Sequence, residues 1–275
     1  MNDSRRQFLT TAAAALGAAR TLAADPLGMP IGTQTWPMRQ AMGKDFEGTL
    51  KQIAEMGFKT IEMCSPPSYA EFRPLASLSG AQMRKTIEAA GLRCESCHYQ
   101  FRELKESLDE RIAFAKELGL KQMVLSTFGL PASATMADWK QAAGEINRMG
   151  ERTSKAGIQM GFHNHNFEFK ELDGVLIYDE LMKEFDPKLI KMQFQVAVIS
   201  LGYEAATYLK KYPGRFLSLH LADYSTADKT AVAVGSGVVD WKKLFAAAKT
   251  GGVRNCFVEV DQRAMKPSYD YLHKL

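Results

Sequence analysis

The amino-acid sequence predicts an α/β fold in a single domain, a (β/α)8 or TIM barrel, on three observations. From Met29 onward, short apolar runs typical of strands alternate eight times with stretches of helical periodicity. The first strand continues into Thr-Trp-Pro and lacks the glycine-rich phosphate fingerprint of an open doubly wound sheet, which is the alternative. Several helical stretches end in a glycine just before the next strand, namely Gly57, Gly91, Gly119, Gly157 and Gly251.

The order of the elements follows from these runs and their boundaries. The eight predicted strands are Ile31–Trp36, Thr60–Cys64, Leu92–His98, Gln122–Thr127, Ile158–His165, Ile190–Val196, Phe216–Leu221 and Asn255–Asp261. The predicted helices are 45–56, 80–90, 103–118, 136–156, 175–185, 202–211, 240–250 and 267–274. Asp240 precedes Trp241 and is expected to cap the helix that begins there.

The first 24 residues have the layout of an export signal. The pair Arg5-Arg6 precedes an apolar, alanine-rich run at residues 11–19, and Ala23-Ala24 then provides small residues for cleavage. An arginine pair followed by Phe-Leu resembles a twin-arginine signal. The sequence therefore predicts a twin-arginine-type signal peptide at 1–24, a barrel at 25–275, and a periplasmic or exported protein. A first helix of the fold is the alternative for this segment.

The composition excludes several classes of protein. The 275 residues include 35 Lys and Arg and 31 Asp and Glu, so the net charge is +4, or +2 without the predicted signal. This mild charge and the lack of a basic run argue against nucleic-acid binding. No stretch reaches the roughly 18 apolar residues that span a bilayer, which argues against stable membrane insertion. Four cysteines in a chain of this length are no disulfide scaffold.

Polar side chains are predicted to converge at one end of the barrel. Active sites of such barrels lie where the strands end at their carboxyl termini, and alternation along each strand identifies the inward side chains. Leu217, Leu219 and Leu221 should face the helices, which turns Ser218 and His220 inward. The same argument places further side chains inside: Gly161, His163, His165, Gln193, Gln195, Phe257, Glu259 and Asp261.

The residue types at this mouth indicate metal and proton-transfer chemistry. Four of the five histidines lie at strand ends, and Glu62, Glu168 and Glu259 join them. Imidazole nitrogens and carboxylate oxygens suit a borderline or hard divalent cation. Two glutamates beside a carbohydrate-sized cleft can also exchange protons at carbon. An ordinary polar rim is the alternative for any one of these side chains.

Several motifs carry a resemblance to a known family. They are FHNHNFEF at 162–169, Lys191 to Gln195, Tyr212 to Phe216 leading into Leu219-His220, Val239-Asp240-Trp241, and Phe257-Val258-Glu259. With this spacing, the chain resembles the xylose isomerase-like TIM barrel superfamily of sugar phosphate isomerases and epimerases. The resemblance implies proton transfer through an enediolate of a sugar or keto-sugar derivative.

The resemblance also implies a set of site residues. The family's metal ligands fall on Glu168, Gln195, His220 and Glu259, and Gln195 stands where the family has an aspartate. Glu168 and Glu259 would be the catalytic acid and base. The implied cofactor is a divalent metal, Mn²⁺ first, with Zn²⁺, Co²⁺ or Mg²⁺ as alternatives. The substrate would be bound by the following side chains: Trp36, Glu62, His98, His163 and His165.

Three functions remain open on the sequence. The first is a metal-dependent isomerase or epimerase, or a related lyase of keto-sugars, whose partner is a small carbohydrate. The second is a periplasmic carbohydrate-binding or catalytically inactive relative, which the glutamine at position 195 favours. The third is a DNA-repair nuclease of the same superfamily, which five histidines are too few to support. An oligomer is compatible with all three.

Overall fold

Eight parallel strands form the centre of the molecule. The computed structural model describes Gly28 and residues 30–275, so the predicted signal peptide at 1–24 lies outside the described residues. The strands of the barrel are β1 (Gly32–Gln34), β2 (Thr60–Cys64), β3 (Arg93–Gln100), β4 (Gln122–Thr127), β5 (Gln159–His163), β8 (Ile190–Gln195), β9 (Phe216–Leu221) and β12 (Asn255–Val258). They pair in the closed order β1-β12-β9-β8-β5-β4-β3-β2, which confirms the predicted barrel.

Helices between successive strands cover the outside of the barrel. They are α1 (Arg39–Lys44), α2 (Phe46–Glu55), α3 (Gly80–Ala89), α4 (Phe101–Leu118), α5 (Met136–Lys155), α6 (Ile177–Glu184), α7 (Ala205–Lys211), α8 (Trp241–Gly251) and α9 (Gln262–Leu272). Asp240 caps α8 as predicted, because its side chain accepts a hydrogen bond from the backbone N–H of Lys243 at 2.9 Å. Among the described residues, no helix is both long and apolar enough to cross a membrane.

The two ends of the last helical unit differ from the prediction. Helix α9 begins at Gln262 and not at residue 267, because Asp261 leaves the sheet and caps it by accepting from the backbone N–H of Arg263 at 3.0 Å. Asp261 is exposed, so its predicted inward orientation is wrong. At the end of α8, the left-handed residue is Gly252 (φ 85°), and Gly251 remains helical.

The sequence did not predict the short elements at the mouth of the barrel. Two antiparallel hairpins follow barrel strands, and they are formed by β6 (Glu171–Leu172) with β7 (Val175–Leu176) and by β10 (Asp223–Ser225) with β11 (Thr230–Val232). Short 3-10 helices occupy Trp36–Met38, Ala70–Ser77, Asn166–Phe169 and Val196–Leu201. These segments are too short for a periodic hydrophobic pattern to reveal them.

The barrel separates an apolar outer layer from a polar interior. Met160, Phe162 and Phe194 are buried among the helices, as alternation predicts. Leu217 is an exception, because a Cβ on the interior Gly161 would lie only 2.8 Å from Leu217 Cδ2. The pairing of β8 with β9 shifts by one residue at this point, so Phe216 packs outward instead. The predicted outward orientation of Leu217 is therefore wrong.

Candidate active site

A buried carboxylate, Glu62 on β2, is the centre of the polar interior. Its Oε1 accepts hydrogen bonds from Gln34 Nε2 at 2.7 Å and from His220 Nε2 at 2.6 Å. Its Oε2 accepts from Ser96 Oγ at 2.5 Å and from Gln193 Nε2 at 2.8 Å. The donors come from four other strands of the barrel, so this carboxylate holds the interior together around one charge.

Histidines neighbouring Glu62 keep it ionised. Burial alone would raise the pKa of this carboxyl group, but His98 and His220 together hold its pKa well below the usual range. His98 Nε2 lies 3.0 Å from Glu62 Oε1 and also bonds to Gln193 Oε1 at 2.6 Å. Both oxygens of Glu62 thus have protein donors, so a predicted substrate contact would have to share an oxygen with one of them.

Three buried histidines from three strands lie side by side. They are His98 on β3, His163 at the end of β5, and His220 on β9, and each offers a ring nitrogen within 4.8 Å of the others. The ring centroid of His163 is 4.4 Å from that of His220 and 5.0 Å from that of His98. Burial and the neighbouring histidines lower the pKa of His163 well below its usual value, so the ring is neutral and can ligate.

Glu259 is oriented by two donors. Gln195 Nε2 donates to its Oε2 at 2.6 Å, and His220 Nδ1 lies 2.9 Å from the same oxygen. Burial raises the pKa of Glu259, but the His220 charge and hydrogen bond outweigh burial and lower it. The flanking carboxylates Glu259 and Glu62 likewise overcome burial at His220 and raise its pKa to about 10. The Glu259 side chain is 19% exposed, so it is accessible from the mouth.

Glu168 lies in a different environment. It is fully buried, and its Oε2 accepts from the backbone N–H of His165 at 2.7 Å. Its Oε1 has no hydrogen-bond partner among the described residues. Burial raises the pKa of Glu168 to about 8, because the backbone hydrogen bonds compensate for only part of the lost hydration. This carboxyl group is therefore largely protonated at neutral pH.

Unpaired polar atoms concentrate in the segment that follows β5. Besides Glu168 Oε1, three buried side-chain nitrogens have no partner within the described part of the chain: His163 Nδ1, Asn164 Nδ2 and His165 Nδ1. An unpaired buried polar group costs about 1–3 kcal/mol, so a concentration of them indicates a place that a ligand, an ion or water completes.

The structure brings most of the predicted site residues together. Glu62, His98, His220, Gln195 and Glu259 are joined by the hydrogen bonds described above, and His163 packs against two of these histidines. Glu168 is joined to His165 and makes no hydrogen bond to Gln195, His220 or Glu259 among the described residues.

Trp36 lies after β1 at the same end of the barrel. Its backbone N–H donates to Gln34 Oε1 at 3.1 Å, and its ring is partly buried. The guanidinium carbon of Arg39 lies 4.4 Å from the centre of the Trp36 ring, and Tyr69 meets this ring at 5.7 Å between centroids. A sugar platform at Trp36, as predicted, would thus use a ring that already has a cation on it.

A divalent cation fits the residues present. The three histidines offer nitrogen ligands within 4.8 Å of one another, and His163 Nδ1 is a buried ligating atom without a partner. Two carboxylates, Glu62 and Glu259, provide negative charge beside them. Neutral imidazoles with nearby carboxylates form a donor set suited to borderline divalent ions.

Sequence reasoning did not single out three interior residues. Gln34 and Ser96 bind Glu62, and both lie in phase with inward residues of their strands, which is the signal that would have revealed them. Asn164 Oδ1 accepts from the backbone N–H of Gln195 at 3.1 Å. It lies out of phase with His163, because β5 ends at His163 and alternation no longer applies.

Comparisons with known proteins agree with this architecture. The family model for the xylose isomerase-like TIM barrel matches residues 50–272. An inosose dehydratase from Geobacillus thermodenitrificans is 24% identical over 263 residues, covering 83% of this chain and 86% of the relative. A sugar phosphate isomerase/epimerase structure from Parabacteroides distasonis has 25% identity and a TM-score of 0.75, covering 88% of this chain and 93% of that one.

A more distant structure shares only the fold. The D-psicose 3-epimerase of Clostridium cellulolyticum, solved with D-tagatose, has a TM-score of 0.67 at 11% identity. It covers 90% of this chain and 97% of that one, so the barrel corresponds over nearly its full length.

Proposed function

The chain belongs to the xylose isomerase-like TIM barrel family, and from this premise we propose that it transfers a proton at a carbon next to the carbonyl group of a keto-sugar or keto-polyol. An enzyme acting on a small carbohydrate is supported by relatives named as an inosose dehydratase and as sugar epimerases. The proposal concerns the reaction class, which isomerisation, epimerisation and dehydration share in their first step.

The observation that carries the proposal is the opposite acid strength of two glutamates. Glu259 has a lowered pKa and is ionised, whereas burial raises the pKa of Glu168 to about 8 and keeps it protonated. His165 connects them, since its backbone N–H bonds Glu168 and its ring is subject to the Glu259 charge. Paired groups whose environments push their pKa values apart serve as base and acid.

Glu259 is the proposed base. It takes the proton from the carbon next to the carbonyl group, and the substrate becomes an enediolate. Gln195 and His220 both donate to Glu259 Oε2 and so fix the orientation of the carboxylate during the transfer. A divalent cation, when bound, supplies Lewis-acid stabilisation of the charge on the substrate oxygens.

Glu168 is the proposed acid. In an isomerase or epimerase, it returns a proton to the neighbouring carbon or to the opposite face of the same carbon. In a dehydratase, it protonates the hydroxyl group at the next carbon, which leaves as water while a carbon–carbon double bond forms. A buried, protonated carboxyl group suits this second outcome, and the similarity to the inosose dehydratase favours it as the second candidate.

Product analysis tests the proposal. The protein, supplied with a divalent metal, is incubated with a panel of ketoses and keto-inositols, and the products are separated by mass and by NMR. We expect a C–H change at the carbon next to the carbonyl, with loss of one water only in the dehydratase case.

Glu259→Gln should lower turnover by more than about 100-fold, because the base is lost. The exposed Glu204→Gln, which removes only an ion pair with Lys243, is the matched control. Retention of a tenth of the rate by Glu259→Gln would contradict the assignment. Binding of a ketose without any turnover would favour the carbohydrate-binding alternative.

A further inference from the structure

We propose that His98, His163 and His220 together bind the divalent metal through three imidazole nitrogens. This ligand set deepens the proposed function, on which it rests, and it differs from the one that the resemblance implies. It retains His220 and replaces the carboxylate and amide ligands, including Glu168 and Gln195, by nitrogen. A site of three neutral imidazoles selects Zn²⁺ or Co²⁺ over Mg²⁺.

The geometry of the three rings supports the set. They come from β3, β5 and β9, they are 5%, 2% and 0% exposed, and their ligating atoms lie within 4.8 Å of one another. His163 Nδ1 provides an independent pointer, because it is buried and has no hydrogen-bond partner within the described residues. A metal ion between the rings would satisfy it.

Two carboxylates complete the surroundings of the set. Glu62 Oε1 lies 3.0 Å from His98 Nε2 and 2.6 Å from His220 Nε2, and Glu259 Oε2 lies 2.9 Å from His220 Nδ1. An ion bound to one nitrogen of His220 displaces one carboxylate from that ring and leaves the other to orient it. The two negative charges balance a divalent ion bound by neutral ligands.

The alternative ligand atoms are already engaged. Gln195 donates through Nε2 to Glu259 and accepts through Oε1 from the backbone N–H of Ala197 at 3.2 Å. Glu168 is bonded to its own loop at His165. Recruiting these residues would break two local contacts, and the amide would still contribute no charge.

Metal titration of paired variants tests the inference. The full chain is stripped with a chelator, and the binding of Zn²⁺ and of Mg²⁺ is measured by calorimetry. Co²⁺ is then added as a spectroscopic probe of nitrogen coordination. We expect Zn²⁺ to bind at least 100-fold more tightly than Mg²⁺. His163→Ala should weaken Zn²⁺ binding by more than the ~10–100-fold that loss of an outer contact costs, while Glu168→Gln changes it less than about threefold.

Further variants keep the test decisive if His163→Ala folds poorly. His98→Asn should give the same loss of Zn²⁺ and the same change in the Co²⁺ spectrum, with circular dichroism as the check on folding. His273→Gln, at an exposed histidine of α9, is the control and should bind as the wild type does. Loss of metal in Glu168→Gln with retention in His163→Ala would overturn the inference.

The inference and the proposed function can fail separately. Turnover of a ketose by metal-stripped protein that binds no Zn²⁺ would overturn the ligand set and leave the proton-transfer function standing. Zn²⁺ binding that depends on the three histidines, without turnover of any keto-sugar, would support the ligand set and remove the function.

Discussion

The same side chain, glutamate, has opposite acid strength at two positions of this barrel mouth because its neighbours differ. Glu259 lies against His220 and accepts two hydrogen bonds at one oxygen. Glu168 has one backbone donor and otherwise apolar or unpaired surroundings, so burial dominates. The sequence could place both glutamates after strands, but their pKa values depend on contacts that only the folded chain forms.

The raised pKa of Glu168 should make the stability of the protein fall as pH rises. Between about pH 4.5 and 8 the folded protein keeps a proton on Glu168 that the unfolded chain releases, so the free energy of unfolding decreases across this window and levels off above it. Glu168→Gln should remove a few kcal/mol of this decrease. Urea unfolding at a series of pH values measures the slope.

Glu171→Gln is the matched control for this prediction, because Glu171 is exposed in the same segment. It should reproduce the wild-type slope. A Glu168→Gln curve that runs parallel to the wild-type curve would contradict the buried, protonated carboxyl group.

Glu62 should be needed for folding stability more than for chemistry. Glu62→Gln places an amide group where Ser96 and Gln193 already donate, and it leaves the neighbouring histidines without their shared charge. We expect the free energy of unfolding to fall by about 3 kcal/mol. Glu106→Gln, which removes only an exposed ion pair with Arg102, should change it by less than about 1 kcal/mol. Equal stability of the two variants would contradict this role.

Strands transmit sequence pattern into the site only as far as they remain regular. Alternation correctly placed Gln193 and His220 inside the barrel, because β8 and β9 keep their pleat there. It failed at Leu217, where the register shifts, and at Asp261, which lies three residues beyond the last residue of β12. Turns and register shifts depend on pairing partners distant in the chain, which a local pattern does not contain.

The connection between β9 and α8 is organised by one buried carboxylate. Asp223 accepts hydrogen bonds from four backbone N–H groups and one indole N–H, those of Tyr224, Gly235, Gly237, Val239 and Trp241. A Cβ at Gly237 would lie 2.3 Å from Asp223 Oδ1, so only glycine allows this approach. The segment 226–239 is therefore held at the mouth by contacts to a single side chain.

Asp223→Asn should loosen this segment, because an amide group cannot accept all of these donors. We expect faster limited proteolysis within 226–239, with the rest of the barrel protected. Asp228→Asn, at an exposed position that bonds only Ser225, should be cleaved at the wild-type rate. Equal cleavage of Asp223→Asn and wild type would show that the segment is held by other contacts.

At the scale of the whole molecule, the barrel was predictable and the details of its mouth were not. Eight regular β-α units leave a strong periodic signal, and the strand bounds of β2, β4 and β9 agree with the sequence prediction to the residue. The motif around Glu168 indicated the family, because short strand-end motifs retain their spacing. The three-histidine cluster required the structure, since its members are separated by more than fifty residues along the chain.

Export belongs to the whole chain and stays a proposal. Arg5 and Arg6 precede an apolar run, and a twin-arginine translocase reads the arginine pair. Replacing both by lysine should retain the protein in the cytoplasm, as cell fractionation would measure. A periplasmic yield equal to that of the wild type would mean that this pair does not direct export.

Solvent deuterium exchange tests the central claim most directly. The metal-supplied protein is incubated in D₂O with ketoses and keto-inositols, and the C–H signal next to the carbonyl group is followed by proton NMR. The account predicts that this signal disappears with the wild type and persists with Glu259→Gln. Persistence of the signal for every compound that the wild type binds would contradict proton transfer as the function of this site.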